Sequence, residues 1–261
     1  MGRALVTGAS AGLGREFAVQ LAARGHHLVL VARDGGRLEQ LADEVRRDAG
    51  VDVQVLPADL SDRGQLEQVA ERVRDRGSPV DLVVNNAGFG AGASFAGNDL
   101  DVEEAALDVM AKAVMVLSHA AAGAMRERGH GAVLNVSSVA SFAAMGHYSA
   151  IKAYVTVLSE ALATELAPHG VRVMALCPGF VHTEFHGRAE MDMSALPDAL
   201  WLDAPAVVRT ALDDLARGRV VSIPSLTYTG LVQVLRVTPR RLVRSVSASL
   251  ASQRRAPDRT A

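Results

Sequence analysis

Short apolar runs alternate with longer amphipathic segments along most of the chain. The apolar runs favour buried strands, and they cover residues 4–7, 27–32, 51–56, 80–84, 132–136, 171–176 and 220–223. Apolar positions recur at helical spacing over residues 13–24, 36–49, 62–76, 100–128, 148–166 and 204–217. Ser61 is a suitable N-cap for the third helix. This alternation predicts an α/β fold, a three-layer, doubly wound parallel sheet of about seven strands with helices on both faces.

The 261 residues suffice for one α/β domain or two small ones. No internal repeat or linker rich in Pro, Gly or Ser divides the chain, so we expect one domain over residues 1–250 and a disordered tail over 251–261. The net charge of −2 gives no indication of nucleic-acid binding. No uninterrupted apolar run reaches the ~20 residues of a membrane span. With one cysteine, Cys177, and no apolar leader, we expect a cytoplasmic protein without disulfides or cysteine-based metal cages.

The first apolar run ends in a glycine-rich turn, Thr7-Gly8-Ala9-Ser10-Ala11-Gly12-Leu13-Gly14. Glycines at such a turn let the backbone approach a pyrophosphate, whose charge is favoured at the N-terminus of the following helix. The spacing is Gly-x-x-x-Gly-x-Gly rather than the commoner Gly-x-Gly-x-x-Gly. Taken alone the turn is either a plain loop or a nucleotide site. Its place after the first strand of an alternating chain favours the nucleotide site.

Tyr148 and Lys152 lie four residues apart and share one face of a predicted helix. An ammonium near a phenol favours the phenolate and lowers a pKa that starts near ~10. Such a phenol exchanges a proton with an alcohol or carbonyl near neutral pH. Ser138 is a candidate donor to the same oxygen, whereas Ser137 would point to the opposite side of its strand. Many solvated helix faces carry a Tyr/Lys pair, so this interpretation depends on a cofactor site elsewhere.

Four motifs occur in order along the chain. They are Thr7-Gly8-x-x-x-Gly12-x-Gly14, Asn85-Asn86-Ala87-Gly88, Ser138 with Tyr148-x-x-x-Lys152, and Pro178-Gly179-x-x-x-Thr183. Together they resemble the short-chain dehydrogenase/reductase family over residues 3–224. The resemblance implies a single Rossmann-type domain that transfers a hydride between a nicotinamide cofactor and an alcohol or carbonyl. It also implies a homodimer or homotetramer.

The resemblance implies a role for each matching residue. Tyr148 would be the general acid/base, Lys152 would hold the nicotinamide ribose and lower the tyrosine pKa, and Ser138 would orient the substrate oxygen. The other cofactor contacts would be Gly8, Ser10, Gly12, Leu13, Gly14, Asn86, Ala87, Gly88, Pro178, Gly179, Val181 and Thr183. Asp59 and Leu60 resemble an adenine-contacting pair, although Asp59 is equally consistent with a turn residue before Ser61.

Cofactor choice depends on the end of the second predicted strand, which reads Leu30-Val31-Ala32-Arg33-Asp34. Ala32 stands where the family's NAD-selecting aspartate usually stands, and Arg33 resembles the arginine that accommodates a 2′-phosphate. Asp34 is a counterargument, although it falls in the first turn of the next helix. NADP(H) is therefore preferred, with NAD(H) as the alternative.

Two features depart from the family pattern. Met110 stands where an asparagine usually helps to order a water in the proton relay, and methionine neither donates nor accepts strongly. The interval between Ser138 and Tyr148 is a few residues shorter than usual, so the loop at 139–147 must be tight. These departures motivate an alternative function, a cofactor-binding sensor or scaffold with little or no turnover.

The substrate side of the chain is less specific. Residues 183–202 resemble the family's mobile lid. An adaptable apolar pocket would suit the apolar side chains of this segment, which are Met191, Met193, Leu196, Leu200 and Trp201. The alternative is that the segment forms a helical pair packed on the core. We expect a small, fairly apolar ketone or alcohol and no metal. The segment 225–250 mixes apolar residues with arginines. Packing on the domain or a dimer mate is favoured over a membrane surface for this segment.

Overall fold

The computed structural model describes residues 2–90, 95–183 and 197–245. Its strands are β1 Arg3–Thr7, β2 His27–Ala32, β3 Val53–Pro57, β4 Leu82–Asn85, β5 Gly131–Val136, β6 Val171–Leu176, β7 Phe180–Val181, β8 Trp201–Leu202 and β9 Val221–Ser222. Its helices are α1 Gly12–Ala23, α2 Gly35–Ala49, α3 Arg63–Arg74, α4 Leu100–Leu107, α5 Ala113–Arg128, α6 Gly146–Leu166, α7 Ala204–Ala216 and α8 Leu226–Val237. A π-helical turn, Asp108–Lys112, joins α4 to α5.

Seven strands form one sheet in the order β3-β2-β1-β4-β5-β6-β9, and every pairing in it is parallel. Alternate strand residues face opposite layers: Ala4 and Val6 contact the core beneath α1, α2 and α7, whereas Leu5 contacts the core beneath α3, α5 and α6. Apolar side chains on both faces explain why the strands read as continuous apolar runs. The predicted three-layer fold is confirmed.

Local side-chain chemistry moves some boundaries from the predicted positions. The third helix is capped by Asp62, whose carboxylate accepts from the Gln65 amide at 2.8 Å, and not by Ser61 as the sequence predicted. Ser61 instead donates to Asp59. The two-stranded sheet of β7 and β8 was not predicted, because strands of two residues leave no periodic pattern.

Residues 100–128 form one long helix through the π-turn, as the apolar pattern predicts. By length and composition alone, this helix is the one in the described chain that could cross a membrane, and half of its most apolar window is buried inside the protein. It packs against α3 and β5, as a core helix does. Most of the predicted lid at 183–202, including Met191, Met193 and Leu196, lies outside the described residues, and so does the tail at 251–261.

Candidate active site

The strand order reverses direction between β1 and β4. From β1 the chain runs outward to β2 and β3, then returns to pair β4 with the other side of β1, in the register Ala4↔Leu82. In open α/β sheets, ligands bind beyond the carboxyl ends of the strands at such a reversal. The glycine-rich turn follows β1 and the Asn-Asn-Ala-Gly segment follows β4, so the fold brings both predicted motifs to this edge.

Hydrogen bonds of Thr7 connect these two motifs. Its Oγ1 accepts from the backbone amides of Asn86 at 2.9 Å and Ala87 at 3.0 Å, while it donates to the Val84 carbonyl at 3.4 Å. The Asn86 side-chain amide donates in return to the Thr7 carbonyl at 2.9 Å. Thr7 is buried, and its place in the motif did not reveal this role. It positions the turn.

The glycine positions of the glycine-rich turn leave little room for a side chain. Gly8 and Gly12 have φ of +66° and +53°, a region that favours glycine. A Cβ on Gly14 would lie 2.1 Å from the Gly8 carbonyl oxygen, so the first turn of α1 packs directly on the loop. The N-cap residue Ala11 offers no side-chain acceptor to the first amides of α1. A bare backbone at a helix N-terminus fits a pyrophosphate.

The Pro178–Gly179 turn and Thr183 lie on the other side of this edge. A Cβ on Gly12 would lie 3.3 Å from the Thr183 Cβ, so the structure brings Thr183 to the glycine-rich turn as the motif spacing implied. Val181 is buried in β7, while Ser10 and Leu13 are half-buried in the glycine-rich loop and at the start of α1.

Arg33 is exposed directly after β2, beside the end of β3. Partial burial acts to raise the pKa of Asp59, but hydrogen bonds from the Ser61 amide and hydroxyl, together with the nearby Arg33 charge, outweigh it and lower that pKa. Asp34 is the N-cap of α2 and accepts from the Arg37 amide at 3.0 Å, which explains its presence without a ribose. Leu60 packs in the core.

Ser138 and Tyr148 meet across the short loop between β5 and α6. Their hydroxyls are hydrogen-bonded to each other. Ser138 also caps a 3-10 turn, Val139–Phe142, by accepting from the Ala140 amide at 3.1 Å. The tight loop expected from the spacing is this turn. Ser137 is buried just beyond the end of β5 and donates instead to the Lys152 carbonyl at 2.8 Å.

Lys152 is buried one helical turn from Tyr148, with its Nζ 5.6 Å from the tyrosine ring centroid and donating to the Val136 carbonyl at 2.9 Å. Burial lowers the pKa of Lys152 to about 8. Burial also raises the pKa of Tyr148 to about 12, although the hydrogen bond with Ser138 acts in the opposite direction. The resemblance implied that the pKa of Tyr148 is lowered, and in this structure it is raised because burial has the largest effect.

Met110 lies at the centre of the π-turn and is completely buried. It forms a small apolar cluster with Ala106, Ala111 and Ile151, and a Cβ on Gly88 would lie 3.2 Å from its sulfur. Phe89 and Tyr148 pack against this cluster. π-turns are frequent at functional sites. Here the turn presents a thioether instead of an amide.

Tyr228 in α8 is a site residue that the sequence analysis missed. Its ring covers Gly179, where a Cβ would lie 2.1 Å from the ring. Its hydroxyl donates to the Leu200 carbonyl at 2.8 Å and accepts from the Phe180 amide at 3.3 Å. It thereby fixes the Pro178–Gly179 turn. No local pattern around Tyr228 reveals this contact.

His147 precedes Tyr148 and is tied to another helix. Its Nδ1 lies 2.5 Å from Oε2 of Glu103 in α4, and Asn98 donates to the other carboxylate oxygen at 2.7 Å. This buried carboxylate holds the start of α6 against α4, so His147 has a positioning role. Within the described residues there is no cluster of three metal-ligating side chains.

A family model described as short chain dehydrogenase matches residues 3–194. The chain belongs to this family. As a short-chain dehydrogenase it is an NAD(P)-dependent dehydrogenase/reductase, which confirms the interpretation of the four motifs.

Its relatives include proteins of stated chemistry. A short-chain dehydrogenase from Sphingobium yanoikuyae, solved in complex with NADPH, is 33% identical with a TM-score of 0.84, and the match covers 100% of this chain and 99% of that one. The bulky-bulky ketone specific alcohol dehydrogenase from Comamonas testosteroni is 31% identical with a TM-score of 0.80, covering 100% and 97%. A Streptomyces violaceoruber protein whose name describes a ketoacyl reductase of the granaticin polyketide synthase is 36% identical, over 69% of this chain and 68% of its own length.

Proposed function

We propose that this short-chain dehydrogenase uses NADP(H) to interconvert a carbonyl and a secondary alcohol on a fairly apolar substrate, with Tyr148 as the general acid/base. The observation that carries this proposal is the hydrogen bond between the Tyr148 and Ser138 hydroxyls, one helical turn from a buried Lys152. These three side chains lie at the sheet edge where the glycine-rich turn also lies.

The chain's own residues would handle the proton. The nicotinamide, when bound, supplies or accepts the hydride. Because burial raises the pKa of Tyr148 to about 12, the phenol is protonated at neutral pH and can donate its proton to a carbonyl oxygen. Ser138 would hold the same oxygen, and the Lys152 ammonium would stabilise the phenolate left behind.

The residues around the glycine-rich turn fit a dinucleotide. The bare backbone of Gly8, Gly12 and Gly14 would face the pyrophosphate, and the exposed Arg33 would bind the 2′-phosphate of NADP(H). Asn86, Ala87, Gly88 and Thr183 would line the remaining length of the cofactor, with Pro178 and Gly179 at its nicotinamide end. The NADPH held by the Sphingobium relative supports this choice.

The cofactor preference is tested by the affinities of NADPH and NADH for the wild type and for Arg33→Ala. We expect the substitution to weaken NADPH binding at least tenfold with little effect on NADH, since only NADPH carries the 2′-phosphate. Arg47→Ala, which removes an exposed arginine near the end of α2, is the matched control. An affinity ratio that does not change in Arg33→Ala contradicts the role given to Arg33.

An apolar substrate is supported by the surroundings of Tyr148. Tyr148 and Phe89 both pack against the apolar cluster that contains Met110. The Comamonas relative is a bulky-bulky ketone specific alcohol dehydrogenase. Turnover should be measured with NADPH and a panel of apolar ketones for the wild type, Tyr148→Phe and the control Tyr154→Phe, which changes an exposed tyrosine on the same helix. We expect Tyr148→Phe alone to lose activity, and turnover that survives there would refute the acid/base assignment.

A cofactor-binding sensor with little turnover is the second candidate, and Met110 favours it because a buried thioether beside Tyr148 cannot take the place of an amide in a proton relay. Tight NADPH binding without turnover on any ketone or alcohol in the panel would support the sensor instead of the enzyme.

The homodimer or homotetramer is proposed to form through α5 and α6. Along this face Met115, Tyr154 and Val157 are exposed beside a groove between the two helices. Val157→Glu should reduce the assembly to monomers in analytical ultracentrifugation, whereas the control Val220→Glu, at another exposed valine, should not. A wild-type chain that sediments as a monomer would remove this part of the proposal.

A further inference from the structure

Helix α8 has two apolar faces, of which the fold uses one. Tyr228 and Val232, four residues apart, are buried against the domain. Val234 and Val237 lie on another side of the helix and are 59% and 83% exposed, and Leu226 at its start is 92% exposed. Leu231 and, after the helix, Leu242 are also exposed. A helix that is apolar on two sides and packs through one of them has an outward face suited to a second partner.

Positive charge surrounds this outward face. Arg236, Arg240, Arg241 and Arg244 are all exposed. The guanidinium of Arg236 stacks over the Phe142 ring at 4.9 Å, and the other three form no ion pair with any residue that the structure describes. No acidic residue occurs between Asp214 and Asp258, although the chain as a whole has a net charge of −2. The positive charge is therefore concentrated at this end of the chain.

We propose that the outward face of α8, with the arginines that follow it, docks on an anionic phospholipid surface. Exposed aliphatic side chains enter the boundary between headgroups and acyl chains, while arginines beside them bind lipid phosphates. A nucleic acid would use the arginines and leave the aliphatic side chains in water. A second copy of this chain would bring another set of unpaired arginines to the interface, and like charges would face one another.

The docked orientation has a consequence for the candidate site. Tyr228 contacts Gly179 from the buried side of α8, so the Pro178–Gly179 turn lies about one helix diameter, ~10 Å, from the outward face. Membrane docking would thus hold the site close to a source of apolar molecules. This consequence rests on the proposed function, whereas the docking itself does not.

Flotation of the full chain with vesicles tests the proposal without any measurement of turnover. We expect binding to vesicles of phosphatidylcholine with phosphatidylglycerol, little binding to phosphatidylcholine alone, and a decline as salt is raised. The triple variant Arg240→Gln, Arg241→Gln, Arg244→Gln should bind on the order of 100-fold more weakly, since each arginine near an anionic surface contributes about fivefold.

The apolar contribution is tested by Val234→Ser with Val237→Ser, which should also lose binding. Two matched control variants change exposed residues elsewhere on the chain. The charge control is the triple variant Arg47→Gln, Arg126→Gln, Arg209→Gln, and the aliphatic control is the double variant Leu100→Ser, Val102→Ser. Both controls should float as the wild type does, and circular dichroism shows whether each variant is folded.

A wild-type chain that does not float with anionic vesicles overturns the proposal, and so does flotation that is unchanged in the arginine and valine variants. If the wild type does not float but self-associates in ultracentrifugation, and Val234→Ser with Val237→Ser abolishes the association, the face belongs to a second copy. Failure of turnover with normal flotation would contradict only the proposed function.

Discussion

Replacing Lys152 should stabilise the chain while it removes a residue of the candidate active site. Burial lowers the pKa of Lys152 from 10.5 to about 8, a difference that corresponds to about 3 kcal/mol of unfavourable free energy for the charged form. Lys152→Met removes that charge and keeps an unbranched side chain. It also removes the hydrogen bond to the Val136 carbonyl, worth about 1 kcal/mol. We expect the free energy of unfolding at pH 7 to rise by about 1–2 kcal/mol.

The pH dependence gives this prediction its sign. Below pH 8 Lys152 is protonated in both the folded and the unfolded chain, so the unfavourable free energy of burying its charge is fully present. Between pH 8 and 10.5 the folded chain loses the proton first, and this unfavourable free energy progressively decreases. The stability of the wild type relative to Lys152→Met should therefore increase by about 2 kcal/mol from pH 7 to pH 9.5.

Urea unfolding followed by circular dichroism at several pH values measures both effects. The chain has one other lysine, Lys112, which is exposed and paired with Asp108 at 3.0 Å. Lys112→Met should change stability by less than about 0.5 kcal/mol at every pH. A difference between wild type and Lys152→Met that is independent of pH, or a Lys152→Met chain less stable than the wild type at pH 7, would refute the reasoning.

Three further substitutions test other contacts. Gly14→Ala places a Cβ 2.1 Å from the Gly8 carbonyl oxygen, so we expect the free energy of unfolding to fall by about 2 kcal/mol or more and NADPH binding, measured by calorimetry, to be lost. The control Gly123→Ala has open space around it and should be neutral or stabilising, so equal effects of the two substitutions would contradict the packing argument. Met110→Asn should lower stability by about 2 kcal/mol in urea unfolding because it buries an amide among apolar groups, whereas Met110→Leu should lose less than about 1.5 kcal/mol. Tyr228→Phe should cost about 1 kcal/mol and raise the NADPH KM more than it lowers kcat, and an unchanged KM would show that the hydroxyl does not hold the turn.

The sequence predicted those features that short stretches of chain determine. A strand such as β2 can be recognised in the sequence because residues 28–31 pack against both core layers and are all apolar. The glycine-rich turn can be recognised in the sequence because the backbone at Gly8, Gly12 and Gly14 admits no other residue without strain or collision. These constraints act locally, so a single sequence displays them.

Other features depend on contacts between distant parts of the chain. Tyr228 contacts Gly179 from 49 positions further along, and nothing in its neighbourhood distinguishes it from an ordinary core tyrosine. The pKa of Tyr148 depends on how deeply α6 is covered, which helical spacing does not reveal. The choice between Ser61 and Asp62 as the cap depended on Asp59, whose carboxylate already accepts from Ser61.

The hydrogen bonds of Thr7 have a consequence for how the protein is made on the ribosome. Thr7 and Asn86 are 79 positions apart, and β1 gains its second neighbour in the sheet only when β4 is available. A nascent chain that ends before residue 87 has β1, β2 and β3 but lacks the segment that fastens the glycine-rich turn. Such long-range pairing forms late and leaves strand edges open in the meantime. The glycine-rich turn can therefore mature only after the first third of the chain has left the exit tunnel.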